Sequence, residues 1–160
     1  MSRTGRRLRN ILLAIVIVLA VGSVATAPRE STAPATPLLE GAQVDPRVLA
    51  IFHRACQDCH SNATYYPWYS YVLPVSLLIN SDISRGRRHL NLSQWPAYPV
   101  VRKERLLSEI ANQVRDREMP LPIYTFIHRN ARLSDADIDA VFQWTQAERA
   151  RLIATSAAPR

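Results

Sequence analysis

Residues 45–60 read Asp45-Pro46-Arg47-Val48-Leu49-Ala50-Ile51-Phe52-His53-Arg54-Ala55-Cys56-Gln57-Asp58-Cys59-His60. Asp45 suits a helix cap and Pro46 a first helical position, and Val48, Ile51, Phe52, Ala55 and Cys59 then recur at helical spacing. The pattern predicts an amphipathic helix over 45–60. At its end stand the two cysteines of the chain, in the order Cys56-Gln57-Asp58-Cys59-His60, which is the C-x-x-C-H arrangement of covalent c-type haem attachment. Two thiols form thioethers to the porphyrin vinyl groups, and the adjoining imidazole supplies a nitrogen to the iron from one face. In a continuous helix Cys56, Cys59 and His60 fall at i, i+3 and i+4, on one side. An apolar interior around them would exclude water and raise the reduction potential.

Three other readings compete for the same residues. A thioredoxin-like dithiol uses C-x-x-C but expects a surrounding βαβ pattern, which is not visible. Structural zinc needs a fourth ligand beyond Cys56, Cys59 and His60, and there is no second cysteine pair. A plain disulfide suits an oxidising compartment.

The compartment is set by the N-terminus. Arg3, Arg6, Arg7 and Arg9 precede an unbroken aliphatic run from Ile11 to Val21, which Gly22 to Ala27 extend to Pro28. Residues 1–27 therefore read as a signal peptide or a membrane anchor, since 11–27 just reach the length of a spanning helix. Ala25-Thr26-Ala27 has the small residues of a cleavage site, but proline immediately after the cut hinders processing and favours the uncleaved anchor. In both cases the basic flank stays cytoplasmic and the remainder is exported, to the periplasmic side of a bacterial cytoplasmic membrane. Residues 28–43, rich in Pro, Ala, Thr and Ser, read as a semi-rigid tether.

The formal charge of +7 comes largely from this leader. Without its four arginines, the chain carries sixteen basic and thirteen acidic side chains, an ordinary surface with no nucleic-acid signature. Arg85, Arg87, Arg88, Arg102, Lys103 and Arg105 are candidates for a docking face toward an acidic redox partner.

Downstream, helices are predicted over 74–88, 99–117 and from Ser134 to about Ala150, with a capping pattern at Ser134. About four helices around one haem define an all-α, cytochrome-c-like domain over 44–153, followed by a flexible tail at 154–160. Between the first two helices, five aromatic residues occupy seven positions from Tyr65 to Tyr71, as a core corner or as a wall of the haem crevice. The Pro67 carbonyl there is a candidate acceptor for the second ring proton of His60. Met119, the one methionine besides Met1, stands in the stiff loop Met119-Pro120-Leu121-Pro122 and suits the second axial position on iron. His89 is the alternative to Met119, with His128 behind it. His53 lies about two turns from His60 on the same helix and cannot reach across the ring.

The chain resembles the bacterial haem-binding domain family through Cys56-Gln57-Asp58-Cys59-His60-Ser61-Asn62, Tyr66-Pro67-Trp68-Tyr69-Ser70, Pro74-Val75-Ser76, the stretch His89 to Trp95, and Met119-Pro120-Leu121-Pro122. The resemblance implies a cytochrome-c-like helical fold and one haem c held by Cys56, Cys59 and His60. It names no reaction. The reading from the residues is one-electron transfer with a membrane-bound or soluble redox partner, not an enzymatic role. The alternatives are a haem enzyme or sensor for peroxide or a diatomic gas with a labile sixth ligand, and a haem-free thiol oxidoreductase.

Overall fold

The computed structural model describes residues 3–28 and 36–157, which contain helices and no strands. In order these are α1 (Arg3–Ala25), α2 (Pro46–Ala55), α3 (Gln57–His60), α4 (Val75–His89), α5 (Val100–Arg115), α6 (Pro122–Ile127) and α7 (Asp135–Ala157), with 3-10 turns at Trp68–Tyr71, Leu92–Ala97 and Arg129–Ala131.

The predicted helix over 45–60 is two helices. Asp45 caps α2 through its carboxylate, which accepts the Arg47 amide at 2.8 Å, with Pro46 in the first turn. At Cys56 the backbone leaves the helical region, with φ −122° and ψ −32°, and α3 begins anew at Gln57. Continuity is kept only by hydrogen bonds across the break, Cys56 N to Phe52 O and His60 N to Cys56 O, both 3.0 Å. The reason is tertiary: α3 packs mainly on α4, and this contact overrides the local periodicity.

α4 and α5 form where the apolar spacing placed them. α5 ends in a Schellman motif, with Glu118 N on Gln113 O at 3.0 Å and Arg117 N on Val114 O at 3.2 Å, and Arg117 in the left-handed region at φ 57°. α6 is additional to the expected helices. α7 opens on a reciprocal cap: the Asp137 amide donates to Ser134 Oγ, and the Asp137 carboxylate accepts the Ser134 amide at 3.0 Å and its hydroxyl at 2.7 Å. It then runs to Ala157, so residues 154–157, expected in the tail, are helical.

α5 and α7 form the most extensive helix pair. Leu106, Leu107, Ile110 and Val114 share a core with Ile138, Val141, Trp144 and Leu152. Phe52 of α2 meets Trp144 edge to face at 5.2 Å, a geometry that suits the ring quadrupoles. The expected tether ends earlier than its composition implied. Leu38 and Leu39 are buried in this core, the Leu39 amide donates to Leu92 O at 3.0 Å, and Trp144 Nε1 donates to Gln43 O at 2.8 Å. The boundary therefore moves from 44 to at least 38, because two leucines with an apolar surface to fill outweigh polar neighbours. The tether residues 29–35 lie outside the described residues.

Burial acts against the Asp137 carboxylate, but the Ser134 amide and hydroxyl and the Arg54 guanidinium, 2.7 Å away, outweigh it and hold the pKa below the usual value. A group whose pKa is lowered by folding stabilises above its unfolded pKa, and this contribution fades as the carboxylate protonates. Ser134→Ala is expected to cost about 1 kcal/mol at neutral pH, measured by urea denaturation. Asp137→Asn should destabilise by a similar amount, with its difference from the unmutated protein shrinking below about pH 4.

Candidate haem site

The motif is presented by α3 against the C-terminal half of α4, and glycine is required at the crossing. A Cβ on Gly86 would stand 2.6 Å from the Cys59 carbonyl oxygen and 3.3 Å from the Cys59 Cβ. Both neighbours belong to a fixed helix, so no rotamer change relieves the overlap. Beyond Gly86, Arg87 turns inward, donating from Nε to Ser61 O at 2.7 Å and from Nη2 to Thr64 Oγ1 at 2.8 Å. The loop leaving the motif is thereby clamped. Arg87 belongs to the basic cluster expected on a docking face, but is committed here to structure. Arg85 pairs with Asp82 at 2.8 Å, Arg105 pairs with Glu109 at 3.5 Å, and Arg102 and Lys103 lie over the rings of Tyr98 and Trp95.

His60 Nδ1 lies 3.0 Å from Leu90 O. A carbonyl oxygen only accepts, so Nδ1 carries the proton and Nε2 is left with its lone pair, the state an iron ligand requires. The orienting carbonyl comes from Leu90, not from Pro67, whose oxygen accepts the Ser70 amide at 2.9 Å. Leu90 is held in place by its neighbour: Asn91 donates from Nδ2 to Asn62 Oδ1 at 2.8 Å and from its backbone amide to Tyr98 Oη at 3.0 Å. Burial is the main reason the His60 pKa falls below the usual value, with the Leu90 and Gly86 carbonyls opposing it. The imidazole is thus kept neutral.

Cys56 and Cys59 are free thiols. Burial pushes Cys56 up to about 12, with Cys59 adding to the shift, and burial pushes Cys59 up to about 11, with Asp58 and Asp82 adding to it.

Beside Cys59 lies a cavity of about 100 Å³. Its apolar walls come from Val75, Leu78, Ile79 and Ile83 of α4 and from Leu121, Ile123 and Ile127 at α6. The polar wall is one network. Tyr124 donates to Asp58 Oδ2 at 2.8 Å and stacks on His128 at 4.3 Å between ring centroids, and His128 Nε2 meets the Tyr69 hydroxyl at 2.6 Å. Asp58, an internal residue of the motif, also accepts the Tyr65 amide at 3.0 Å. The α6 corner is therefore tied directly to the motif.

The aromatic stretch does not fill a core corner, since Tyr65, Trp68 and Tyr71 are exposed; Tyr65, Pro67, Tyr69 and Ser70 line this cavity instead. Met119 is half-buried, its amide bonded to Gln113 O at 3.1 Å. It is not among the cavity-lining residues, whereas Leu121 two positions later is. His89 is exposed at the end of α4, close enough to His60 to oppose its protonation. Of the two histidines weighed as axial ligands beside Met119, it is His128 that lines the cavity.

The donor set fits a haem: two unpaired thiols and an imidazole with Nε2 free, next to an apolar wall. Ser70, on the same cavity, has a buried hydroxyl with no hydrogen-bond partner, the condition of a group that a ligand would satisfy. The volume is below the roughly 300–1,000 Å³ of ordinary ligand pockets, so a macrocycle requires the walls to part. Ile123, Phe126 and Ile127 of α6 are 54–70% exposed and are the least packed of those walls. Among the described residues no group of three or more His, Cys, Asp and Glu is placed to hold a bare metal ion.

Gly86, Asp58 and Leu90 were not singled out by sequence reasoning. An isolated glycine between Arg85 and Arg87 inside a helical pattern is a usable signal for close backbone approach; a carbonyl acceptor leaves none. Gly86→Ala is expected to destabilise the domain by about 1–3 kcal/mol through overpacking against Cys59. Ser81→Ala, exposed on the same helix, should stay within about 0.5 kcal/mol. Denaturant midpoints of the two variants compare them.

No curated protein and no solved structure matches the chain. The pattern described as a haem-binding domain matches residues 14–147, a range that includes the motif, the cavity and the second half of α1. With the match covering most of the chain, this protein belongs to the haem-binding domain family.

Proposed function

We propose that this haem-binding protein is a membrane-anchored, mono-haem c-type cytochrome that transfers single electrons at the periplasmic face of a bacterial cytoplasmic membrane. The observation that carries the reading is the His60 to Leu90 hydrogen bond, directly beside two free thiols in the C-x-x-C-H order. Haem, when bound, supplies a one-electron iron couple. Cys56 and Cys59 would hold it covalently and His60 would offer Nε2 to the iron, while the Leu90 carbonyl orients the imidazole and raises its basicity. Met119, with His89 as its alternative, would supply the second protein ligand to the iron. The apolar side chains of α4 and α6 exclude water, which favours the less charged reduced state.

A second reading, a haem enzyme or sensor for peroxide or a diatomic gas, is favoured by one observation: His128, bonded to Tyr69, lines the cavity where Met119 does not. Such a pair is suited to moving a proton beside a labile iron position. The thiol-oxidoreductase reading is opposed by the thiols themselves. Exchange-active cysteines have a lowered pKa, whereas burial shifts Cys56 and Cys59 the other way.

Expression of the full chain together with the cytochrome c maturation machinery is expected to yield covalent haem that survives denaturing electrophoresis. The double variant Cys56→Ala/Cys59→Ala should be colourless, and His60→Ala should lose the low-spin ferric spectrum. Colourless unmutated protein with free or disulfide-bonded cysteines overturns the proposal. A ferric sulfur-to-iron charge-transfer band that disappears in Met119→Ala establishes the methionine ligand. If the unmutated protein lacks that band and turns over peroxide rapidly, the second reading replaces the first.

A further inference from the structure

α1 is 23 residues long with a mean hydropathy of 2.3 over its most apolar window, and is long and apolar enough to cross a membrane by length and composition. At 1.5 Å per residue it measures about 35 Å, against a hydrocarbon core of about 30 Å. Its first two turns carry Arg3, Arg6, Arg7 and Arg9, and the uncharged residues 10–25 measure only about 24 Å. With Arg9 among the headgroups, the last turn therefore lies no farther out than the opposite lipid–water boundary. That turn is not followed by open solvent. Ser23 Oγ accepts the Leu73 amide at 3.0 Å, Thr26 Oγ1 shares a hydrogen bond with Ser76 Oγ at 2.7 Å, and Asn80 Nδ2 donates to Thr26 O at 2.9 Å. Gly22 admits the Leu73 side chain so closely that a Cβ there would overlap Leu73 Cδ1.

The first two turns of α4 are thus fastened to the end of the span. One side of this junction is polar, with Asn62, Asn80, Arg87 and Arg88 beside residues 25–28. The segment of residues 68–77, to which the helix end is bonded, carries exposed apolar and aromatic side chains, Trp68 at 77%, Leu77 54%, Val72 44% and Tyr71 37%. Trp and Tyr have the mixed character that concentrates at membrane interfaces. The haem-binding family pattern begins at residue 14, inside α1, so the docked end of the helix lies within it.

We infer that Trp68, Tyr71, Val72 and Leu77 form a lipid-contact surface that seats the domain in the headgroup region of the bilayer spanned by α1. The inference rests on α1 being a retained span. Its occupant is the bilayer because the span is bonded to the same segment of chain: hydrogen bonds at Leu73, Ser76 and Asn80 leave no slack by which residues 68–77 could stand far from the lipid. Val75, Leu78 and Ile79, on the same turns of α4, line the cavity beside Cys59. The cavity wall is thereby held near the membrane surface, on the side from which a membrane-embedded redox partner would approach.

The test uses the full chain in vesicles of phosphatidylethanolamine and phosphatidylglycerol, with p-benzoylphenylalanine placed singly at Trp68, Leu77, Ile15 or Val101. Ile15 lies within α1, and Val101 is an 80% exposed apolar control on α5. After irradiation, intact-protein mass spectrometry should show lipid adducts at positions 15, 68 and 77, several-fold above position 101. Labelling at 15 without labelling at 68 or 77 overturns the docking and leaves the span intact. Absence of labelling at 15, or a mass lacking the leader, shows that the span reading has failed and the docking with it. Equal labelling at 101 also overturns the inference, because the surface would then have no preference for lipid.

Discussion

At Gly86 the backbone of α4 comes so close to Cys59 that no side chain fits between them. Much of the site is arranged by that approach. It breaks the first amphipathic pattern into α2 and α3, brings Arg87 onto the loop after the motif, and sets the Leu90 carbonyl against His60. A carbonyl at that place does more than fill a donor. It fixes which imidazole nitrogen is free, and so decides that the ring can act as a metal ligand and not only as a buried base.

The cavity side of the motif depends on a second set of links, and these are polar. Asp58 joins the motif to Tyr65 and Tyr124, while Tyr124 stacks on His128 and His128 bonds Tyr69. Burial, with Asp58 adding to it, drives the Tyr124 hydroxyl far above its ordinary pKa, so it stays a donor to the carboxylate. The network holds α6 in position with few buried apolar contacts of its own, since Ile123, Phe126 and Ile127 remain largely exposed. A wall held by side-chain hydrogen bonds opens at lower cost than a packed one, which suits a cavity of about 100 Å³ that is smaller than the group its family binds.

Stability is concentrated elsewhere. The α5–α7 pair, Phe52 with Trp144, and the buried Leu38 and Leu39 make a core that shares no residue with the cavity lining. Glu148, 1% exposed, is satisfied there by Arg151 Nε at 2.6 Å and the Gln43 amide at 3.3 Å. The pairing limits the desolvation cost of the carboxylate and ties residues 41–43 to α7, so the segment after α1 returns into the domain.

Periodicity alone located α4, α5 and the start of α7, because each has an apolar stripe or cap whose signal lies within one helix. The C-x-x-C-H order of Cys56, Cys59 and His60 and the long apolar helix at the N-terminus were legible because each is a pattern of residue types at a fixed spacing or over an unbroken length. The break at Cys56, the role of Leu38 and Leu39, the short α6 and the Leu90 acceptor were not legible. Each arises from segments distant in sequence, where packing against a partner outweighs local preference or where a backbone atom, identical in nearly every residue, does the work. The candidate haem motif was written in the chain's spelling; which atoms orient it, and which wall it faces, was decided by where α4 and α6 come to rest.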